Sequence, residues 1–337
     1  MMANGLLRPA MLAAARSPRL ERTVRRMSPT RRLVDRFVAG DDEEQAIAAA
    51  TPLLASGRRI SIDYLGEDTT DVGQARATVE HYLKLLSALA HVQGTFSGDQ
   101  TATAPAGPLE VSLKLSALGQ ALPRDGHRIA LEHAREICAA ARAVGAAVTI
   151  DAEDHTTTDS TLSIVRELRG DFPELGTVLQ AYLKRTEADC RELAGSRIRL
   201  CKGAYREPPA VAYQRRTEVD ESYLRCLAIL MAGPGYPMVA THDPRMIDAA
   251  QQYARDNGRS TGEFEFQMLY GIRDAEQRRL VKAGHRLRVY LPYGDQWYGY
   301  FMRRLAERPA NLVFFLRALA PGNFADSPPA TPAGRFS

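Results

Sequence analysis

Cysteine is scarce in this chain of 337 residues: Cys138, Cys190, Cys201 and Cys226 are the only four, and no two form a C-x-x-C pair. That spacing gives neither a zinc site nor a dithiol redox motif, and it fits a reducing compartment, with a cytoplasmic location as the expectation. No run approaches the roughly 18 apolar residues of a membrane-spanning helix. Charge of one sign barely dominates, with 44 Lys+Arg against 40 Asp+Glu and a net charge of +4. An excess so small and dispersed, without an aromatic-and-basic binding motif, makes no case for nucleic acid. Also missing is a G-x-G-x-x-G after the first β-rich run, which weakens a dinucleotide-binding doubly wound sheet.

What is present is an ordinary globular composition, 45% hydrophobic and 25% charged, organised in two alternating textures. β-rich runs fall at 58–67, 109–116, 146–153, 176–183, 197–203, 237–243, 264–271 and 286–294. Segments of helical period fall between and after them, at 69–92, 128–144, 157–169, 186–194, 208–232, 244–257, 274–283 and 297–308. Several open on a capping residue or proline, as in Thr241-His242-Asp243-Pro244, and several close on a glycine, such as Gly145, Gly258 and Gly284. Eight strands, each followed by a helix and with none left over, predict a closed parallel (β/α)8 TIM barrel of the α/β class. An open doubly wound sheet is the alternative.

The flanks read differently. Residues 1–57 are expected to form a helical segment packing on the barrel, with Leu20, Val24 and Met27, then Leu33, Val34 and Phe37, at helical spacing. The Arg-rich, acid-poor stretch from Arg8 through Arg36 would also suit a transit peptide. The barrel is placed at 58–320, with a final helix after strand eight, and the tail 321–337 is expected to be disordered. The stretch Gly94–Gly107 reads as a loop.

Barrel active sites lie at the carboxyl ends of the strands, and those ends are unusually polar here. They carry Lys114, Asp151, Glu153, Gln180, Arg199, Lys202, Thr241, His242, Gln267, Tyr270, Arg288 and Tyr290. A charge inside a barrel is unfavourable unless paired, so Lys114, Asp151 and Arg199 should answer to one another or to a ligand. Singly, each has a plainer use: Lys114 snorkelling to the rim, Arg199 in a structural ion pair, His242 bonding a helix start. In Lys202-Gly203-Ala204-Tyr205 a cation precedes two small residues that allow close backbone approach, a weak signal for a pyrophosphate. In the last helical segment Tyr300, Arg303, Arg304 and Glu307 share one face. Paired guanidinium groups there can grip a carboxylate, with Glu307 steadying Arg303 and Tyr300 walling an apolar ring; a solvated helix face is the other reading.

The runs VSLKLSAL, IDAED, VLQAYLKR, RIRLCKGAY, VATHD, FEFQMLYG, RVYLPYG and YFMRRLAE, in this order, resemble the flavin-dependent proline dehydrogenases from about Phe37 to Leu319, above all in KGAY combined with Y-x-x-R-R. The resemblance implies a distorted (β/α)8 barrel carrying FAD and oxidising L-proline to Δ1-pyrroline-5-carboxylate, the first step of proline catabolism to glutamate. It assigns Asp151 and Arg199 as catalytic, and Lys114, Tyr290, Tyr300, Arg303, Arg304 and Leu269 to the substrate. It assigns Ala152, Gln180, Arg199, Lys202, Gly203, Ala204, Thr241 and His242 to FAD, with Glu307 and Tyr205 in support. The length resembles the short monofunctional type, which passes its product to a separate pyrroline-5-carboxylate dehydrogenase and its electrons to a quinone or another acceptor. The basic N-terminal segment and Leu312–Leu319 are candidates for peripheral membrane contact, packing helices being the alternative. Cys201 and Arg206-Glu207 depart from the expected pattern around KGAY, leaving the fine shape of the flavin pocket open.

Two other classes compete on the residues alone. Asp151, Glu153, Asp154, His155, His242 and Asp243 could ligate a divalent ion in a barrel lyase or hydrolase, with a Schiff-base aldolase through Lys114 or Lys202 as a variant. A non-catalytic barrel that only binds its ligand is the second.

Overall fold

The computed structural model describes residues 34–96 and 107–307, and of these the side chains of 93–96 and 303–307 lie outside the description. The N-terminal periodic residues before Val34, the Leu312–Leu319 stretch and the tail therefore lie outside the described residues, as does most of the Gly94–Gly107 loop.

Eight strands close a parallel barrel in chain order: β1 (Arg59–Tyr64), β2 (Leu109–Leu113), β3 (Ala147–Ile150), β4 (Gly176–Gln180), β5 (Arg197–Cys201), β6 (Tyr236–Ala240), β7 (Glu265–Leu269) and β8 (Leu287–Tyr293). β8 returns to pair with β1 over six residues, Arg59 opposite Arg288 through Tyr64 opposite Tyr293. The described helices are α1 (Glu43–Ala55), α2 (Val72–Phe96), α3 (Gly126–Ala143), α4 (Thr158–Asp171), α5 (Thr186–Glu192), α6 (Arg216–Ala232), α7 (Pro244–Asp256), α8 (Asp274–Lys282) and α9 (Trp297–Glu307).

Local chemistry explains these limits. Asp243 caps α7 by accepting from the Arg245 N–H at 3.1 Å, and Pro244 fills the first turn. Gly145, Gly258 and Gly284 follow their helices at φ of 65, 65 and 83°, the left-handed stop expected of them. Two expectations shift. Helix α2 continues through Gly94 to Phe96, because one glycine costs only about 1 kcal/mol in a long helix. The segment 208–215 is not helical: it opens on Pro208-Pro209, and Ala212 bridges Leu183 in antiparallel fashion while the Tyr213 N–H donates to the Tyr182 carbonyl at 2.8 Å. Helix α6 therefore starts only at Arg216.

The described chain divides into two compact units. Arg36–Trp297 contains the whole barrel and also α1, so the barrel unit begins upstream of residue 58. The described part of the second unit is Val34, Asp35 and α9 from Tyr298 onward.

Alternation along the strands separates two environments. Ile60 and Ile62, Val111 and Leu113, Ile198 and Leu200, and Val289 and Leu291 are buried in the hydrophobic cluster they share with the helices. The alternate residues Ser61, Asp63, Glu110, Ser112, Lys114, Arg197, Arg199, Glu265 and Arg288 are equally buried but polar or charged. They bond one another across the barrel, Arg199 reaching both Ser61 on β1 and Glu110 on β2. The barrel is thus filled by an ionic lattice, where apolar layers are the usual filling.

Candidate active site

The lattice reaches the carboxyl rim as a cluster of six side chains, Ser112 bracing five charged or phenolic groups. Lys114 donates to Asp63 Oδ2 at 2.5 Å and lies 3.8 Å from Asp151 Oδ2. Asp151 Oδ1 accepts from Arg199 Nη1 at 2.7 Å and from Ser112 Oγ at 2.8 Å. The Tyr290 hydroxyl sits between the two acids, 2.7 Å from Asp63 Oδ2 and 2.9 Å from Asp151 Oδ2. One hydroxyl hydrogen cannot serve two carboxylates at once, so this bridge has room for a second proton.

The electrostatics follow from burial and pairing. Burial disfavours the Lys114 ammonium, but Asp63 and Asp151 overcome it and hold its pKa above that of an ordinary lysine. Burial raises the Asp63 carboxyl, with Lys114 pulling in the opposite direction. Burial, then Asp151 and Asp63, push the Tyr290 hydroxyl well above its usual range, so it remains a proton donor.

Lys114, Asp151 and Arg199 therefore answer to one another, and Tyr290 joins them. Asp63, which the sequence reading missed, is the direct partner of Lys114, and Asp151 principally holds Arg199. Tyr300 is buried in α9, whereas the side chains of Arg303, Arg304 and Glu307 lie outside the described residues.

Next along the rim are the residues assigned to a nucleotide cofactor. The Ala152 carbonyl accepts from Gln180 Nε2 at 3.4 Å, while Gln180 Oε1 is buried and has no partner among the described residues, and the same holds for Arg199 Nε. The Thr241 hydroxyl accepts from the Asp243 N–H at 3.1 Å, and His242 Nε2 accepts from the Leu269 N–H at 3.0 Å, leaving the proton on Nδ1. Lys202 donates to Asp220 at 2.5 Å and to Asp243 at 3.1 Å, so a phosphate there would compete with two carboxylates. Burial opposes the Asp243 charge, but Arg245 and Lys202 hold its pKa at about 2.

Gly203 stands at φ +106°, and a Cβ there would lie 2.3 Å from Tyr182 Cδ1. That ring cannot retreat easily: the Tyr182 hydroxyl donates to Glu207 Oε1 at 3.1 Å, and Glu207 also accepts from the His155 N–H at 2.9 Å and pairs with the His155 ring. Glu207, noticed in the sequence only as a departure, thus ties the β3, β4 and β5 loops together. Tyr205 and Ala204 are partly exposed between Gly203 and this tie. Gly203→Ala is expected to destabilise by about 2–4 kcal/mol, read by urea unfolding, with Gly203→Ala/Tyr182→Ala recovering part of the stability.

Asp151, Glu153, Asp154 and His155 face different partners. Asp151 turns to Arg199, Asp154 caps the turn His155–Thr157, and His155 turns to Glu207. Glu153 accepts from both the N–H (3.0 Å) and the hydroxyl of Ser116, and Ser116 in turn holds the Asp68 and Thr69 N–H groups of the β1 loop. Among the described residues, no three His, Cys, Asp or Glu side chains are grouped to hold a metal ion.

Burial raises the Glu153 carboxyl from 4.5 to about 7. The folded protein therefore keeps a proton that the unfolded chain releases. The stability this contributes is complete below pH 4.5, is lost as pH rises through about 7, and amounts to about 3 kcal/mol. Glu153→Gln should remove that slope, so urea midpoints at pH 5 and pH 8 should differ less in the variant than in the wild type. An unchanged difference would mean that this carboxyl titrates normally.

Parallel strands in a closed ring, with paired cations and carboxylates converging at their carboxyl ends, define a (β/α)8 barrel enzyme with a polar, ligand-directed mouth. A family model described as proline dehydrogenase matches residues 46–317, and the chain belongs to that family. It is 39% identical to the proline dehydrogenase of Deinococcus radiodurans over 325 residues, covering 95% of this chain and 100% of that protein. It is 40% identical to proline dehydrogenase 1 of Bacillus subtilis over 286 residues, covering 84% of this chain and 89% of that one. Among solved structures it is similar to proline utilization A from Bdellovibrio bacteriovorus inactivated by N-propargylglycine, with a TM-score of 0.75 and 25% identity. That match covers 82% of this chain but only 33% of the larger one.

Proposed function

We infer that this chain oxidises L-proline to Δ1-pyrroline-5-carboxylate with FAD as its cofactor, opening the catabolism of proline to glutamate. The observation that carries the reading is the Lys114–Asp63–Tyr290–Asp151–Arg199 cluster at the barrel mouth of a proline dehydrogenase family member. Two buried polar atoms on adjacent strands, the acceptor Gln180 Oε1 and the donor Arg199 Nε, have no partners among the described residues and suit a flat ring whose edge carries both donors and acceptors. Gly203 against Tyr182 adds a backbone surface that a side chain would fill. Gln180, Arg199, Gly203, Ala204, Ala152, Thr241, His242 and Lys202 would hold FAD, which when bound supplies a two-electron acceptor.

The residues of the chain do the rest. Losing hydride from the carbon beside the ring nitrogen requires a neutral amine, whose lone pair stabilises the developing iminium. Free proline is an ammonium zwitterion, so the site must hold the carboxylate and take a proton. Lys114 is already balanced by Asp63 and Asp151. The excess positive charge for the carboxylate is therefore assigned to Arg303 and Arg304, with Lys114 adding a directed ammonium donor and Glu307 steadying Arg303. The Asp63–Tyr290–Asp151 bridge is positioned to receive the amine proton. Tyr290, Tyr300 and Leu269 would enclose the ring, and Tyr205 would support the KGAY loop. Arg304→Met should raise the KM for proline on the order of a hundredfold while flavin content stays unchanged; equal loss of both would assign α9 to the cofactor instead.

Electrons pass on to a quinone or another acceptor, and the product to a separate pyrroline-5-carboxylate dehydrogenase. Among the described residues no helix is long and apolar enough to cross a membrane. Residues 58–320 would be the catalytic barrel, with a cytoplasmic location and peripheral contact through the flanks. The test is anaerobic addition of L-proline to the purified yellow protein. Bleaching of the flavin band supports the reading, and a flavin band indifferent to proline would exclude it. A colourless protein that binds proline unchanged would instead be a ligand-binding barrel.

A further inference from the structure

Below the reacting cluster lies a set of charges that the proposed chemistry does not itself use. Glu110, Glu265 and Arg288 are wholly buried, and Arg197 and Arg199 nearly so. Glu110 on β2 stands at the centre: its Oε2 accepts from Arg197 Nη2 at 2.5 Å, its Oε1 accepts from Arg199 Nη2 at 2.7 Å, and Arg288 Nε lies 3.9 Å away. Replacing buried ion networks by well-packed apolar groups is often neutral or stabilising, so stability alone does not require such a centre.

The geometry of Arg199 shows what Glu110 holds. Its Nη1 donates upward to Asp151 Oδ1 at 2.7 Å and to Ser112 Oγ at 2.8 Å, and its Nη2 donates to Glu110 Oε1 at 2.7 Å and to Ser61 Oγ at 3.1 Å. Both ends of the planar fork are thus clamped between two carboxylates, and rotation about the Cζ–Nε bond is blocked. The remaining donor, Nε, is buried and has no partner among the described residues.

We infer that Glu110 is a positioning residue for the redox step: through Arg199 it fixes where the free Nε points and how much positive charge the cofactor side of the guanidinium presents. This rests on the flavin reading above. Glu110 carries its charge at any working pH, because Arg288, Arg197 and Arg199 outweigh its burial and keep it ionised. In a medium of low polarity an added or removed unit charge is weakly screened, so the carboxylate at Glu110 subtracts from the attraction that Arg199 offers to electron density arriving on a neighbouring ring. Glu110 touches neither substrate nor cofactor in this scheme; it acts by way of Arg199.

Glu110→Gln keeps the acceptor oxygen and the shape but removes the charge, so the test is the flavin midpoint potential measured by spectroelectrochemistry on the flavin-loaded full chain. The potential should move to a more positive value than the wild type in Glu110→Gln, and this shift should be clearly smaller when Arg199→Met is already present, only the direct through-space part remaining. An unmoved potential, or the same movement with and without Arg199, would overturn the inference, since a general structural role would not depend on Arg199. If Glu110→Gln fails to fold, Glu110→Asp takes its place. Its carboxylate is withdrawn from Arg199 by one methylene, and a smaller shift of the same sign is expected, with no shift again overturning the inference. The readout does not need proline, so the two ideas fail separately: wild-type protein that holds flavin but is not reduced by proline sinks the function, whereas proline-reducible protein with an unmoved variant potential sinks only the role of Glu110.

Discussion

Lys114→Met is expected to lower stability by about 3–5 kcal/mol and to raise the KM for proline on the order of a hundredfold. The first effect comes from Asp63, which is fully buried and would lose the ammonium 2.5 Å from its Oδ2. Its remaining hydrogen bonds come from tyrosine hydroxyls, at 2.7 Å from Tyr290 and 3.5 Å from Tyr82, and neither can neutralise a charge. The second effect follows if Lys114 contributes to the grip on the substrate carboxylate. The two separate in the double variant Lys114→Met/Asp63→Asn, which removes both charges: urea unfolding should return most of the way to the wild type while the KM stays high. If stability and KM recover together, Lys114 serves the barrel and not the substrate.

Arg199→Ala should slow single-turnover reduction of the bound flavin by proline about 10²- to 10³-fold, the range seen when one pre-organised donor is lost. Its KM should change less, because Arg199 is spanned by Asp151 and Glu110 and has little charge to spare for a substrate carboxylate. Arg199→Lys should rescue poorly. An ammonium cannot hold Asp151, Ser112, Glu110 and Ser61 together with a fifth donor left over, as the guanidinium does. Reduction at the wild-type rate in stopped flow would show that Arg199 only braces the barrel.

The rim itself was partly readable in advance. Lys114, Asp151 and Arg199 stand at strand ends where a charge needs a partner, and they do converge. Asp63 and Glu110 were overlooked, although a signal was there: RISID and LEVSLK place Ser61, Asp63, Glu110, Ser112 and Lys114 at every second position, with Ile or an aliphatic residue between. Period-2 alternation is usually read as one face in water. In this closed barrel the polar face looks inward, so the same pattern marks its interior charges. The pairing of Lys114 with Asp63 was beyond any linear reading. It depends on β1 lying beside β2 in register, Asp63 opposite Ser112, so that Lys114 two residues on reaches across. Glu207 was hidden differently: it lies on an irregular stretch, where no period tells which way a side chain turns.

The order of β and α segments, the caps at Asp243-Pro244 and the glycine stops were determined by the linear chain, because each rests on interactions within a few residues. Strand propensity, helix period and backbone permissiveness are local, and they suffice to dictate an eightfold barrel with a polar mouth. Which acid meets which cation, and which donors are left over for a ligand, was decided only by closure of the barrel. Arg199 satisfies Glu110 and Asp151 at separations of 89 and 48 residues, and its Nε has no partner among the described residues. Pairing of buried charges is a matter of ångströms in three dimensions, and distance along the chain carries no record of it.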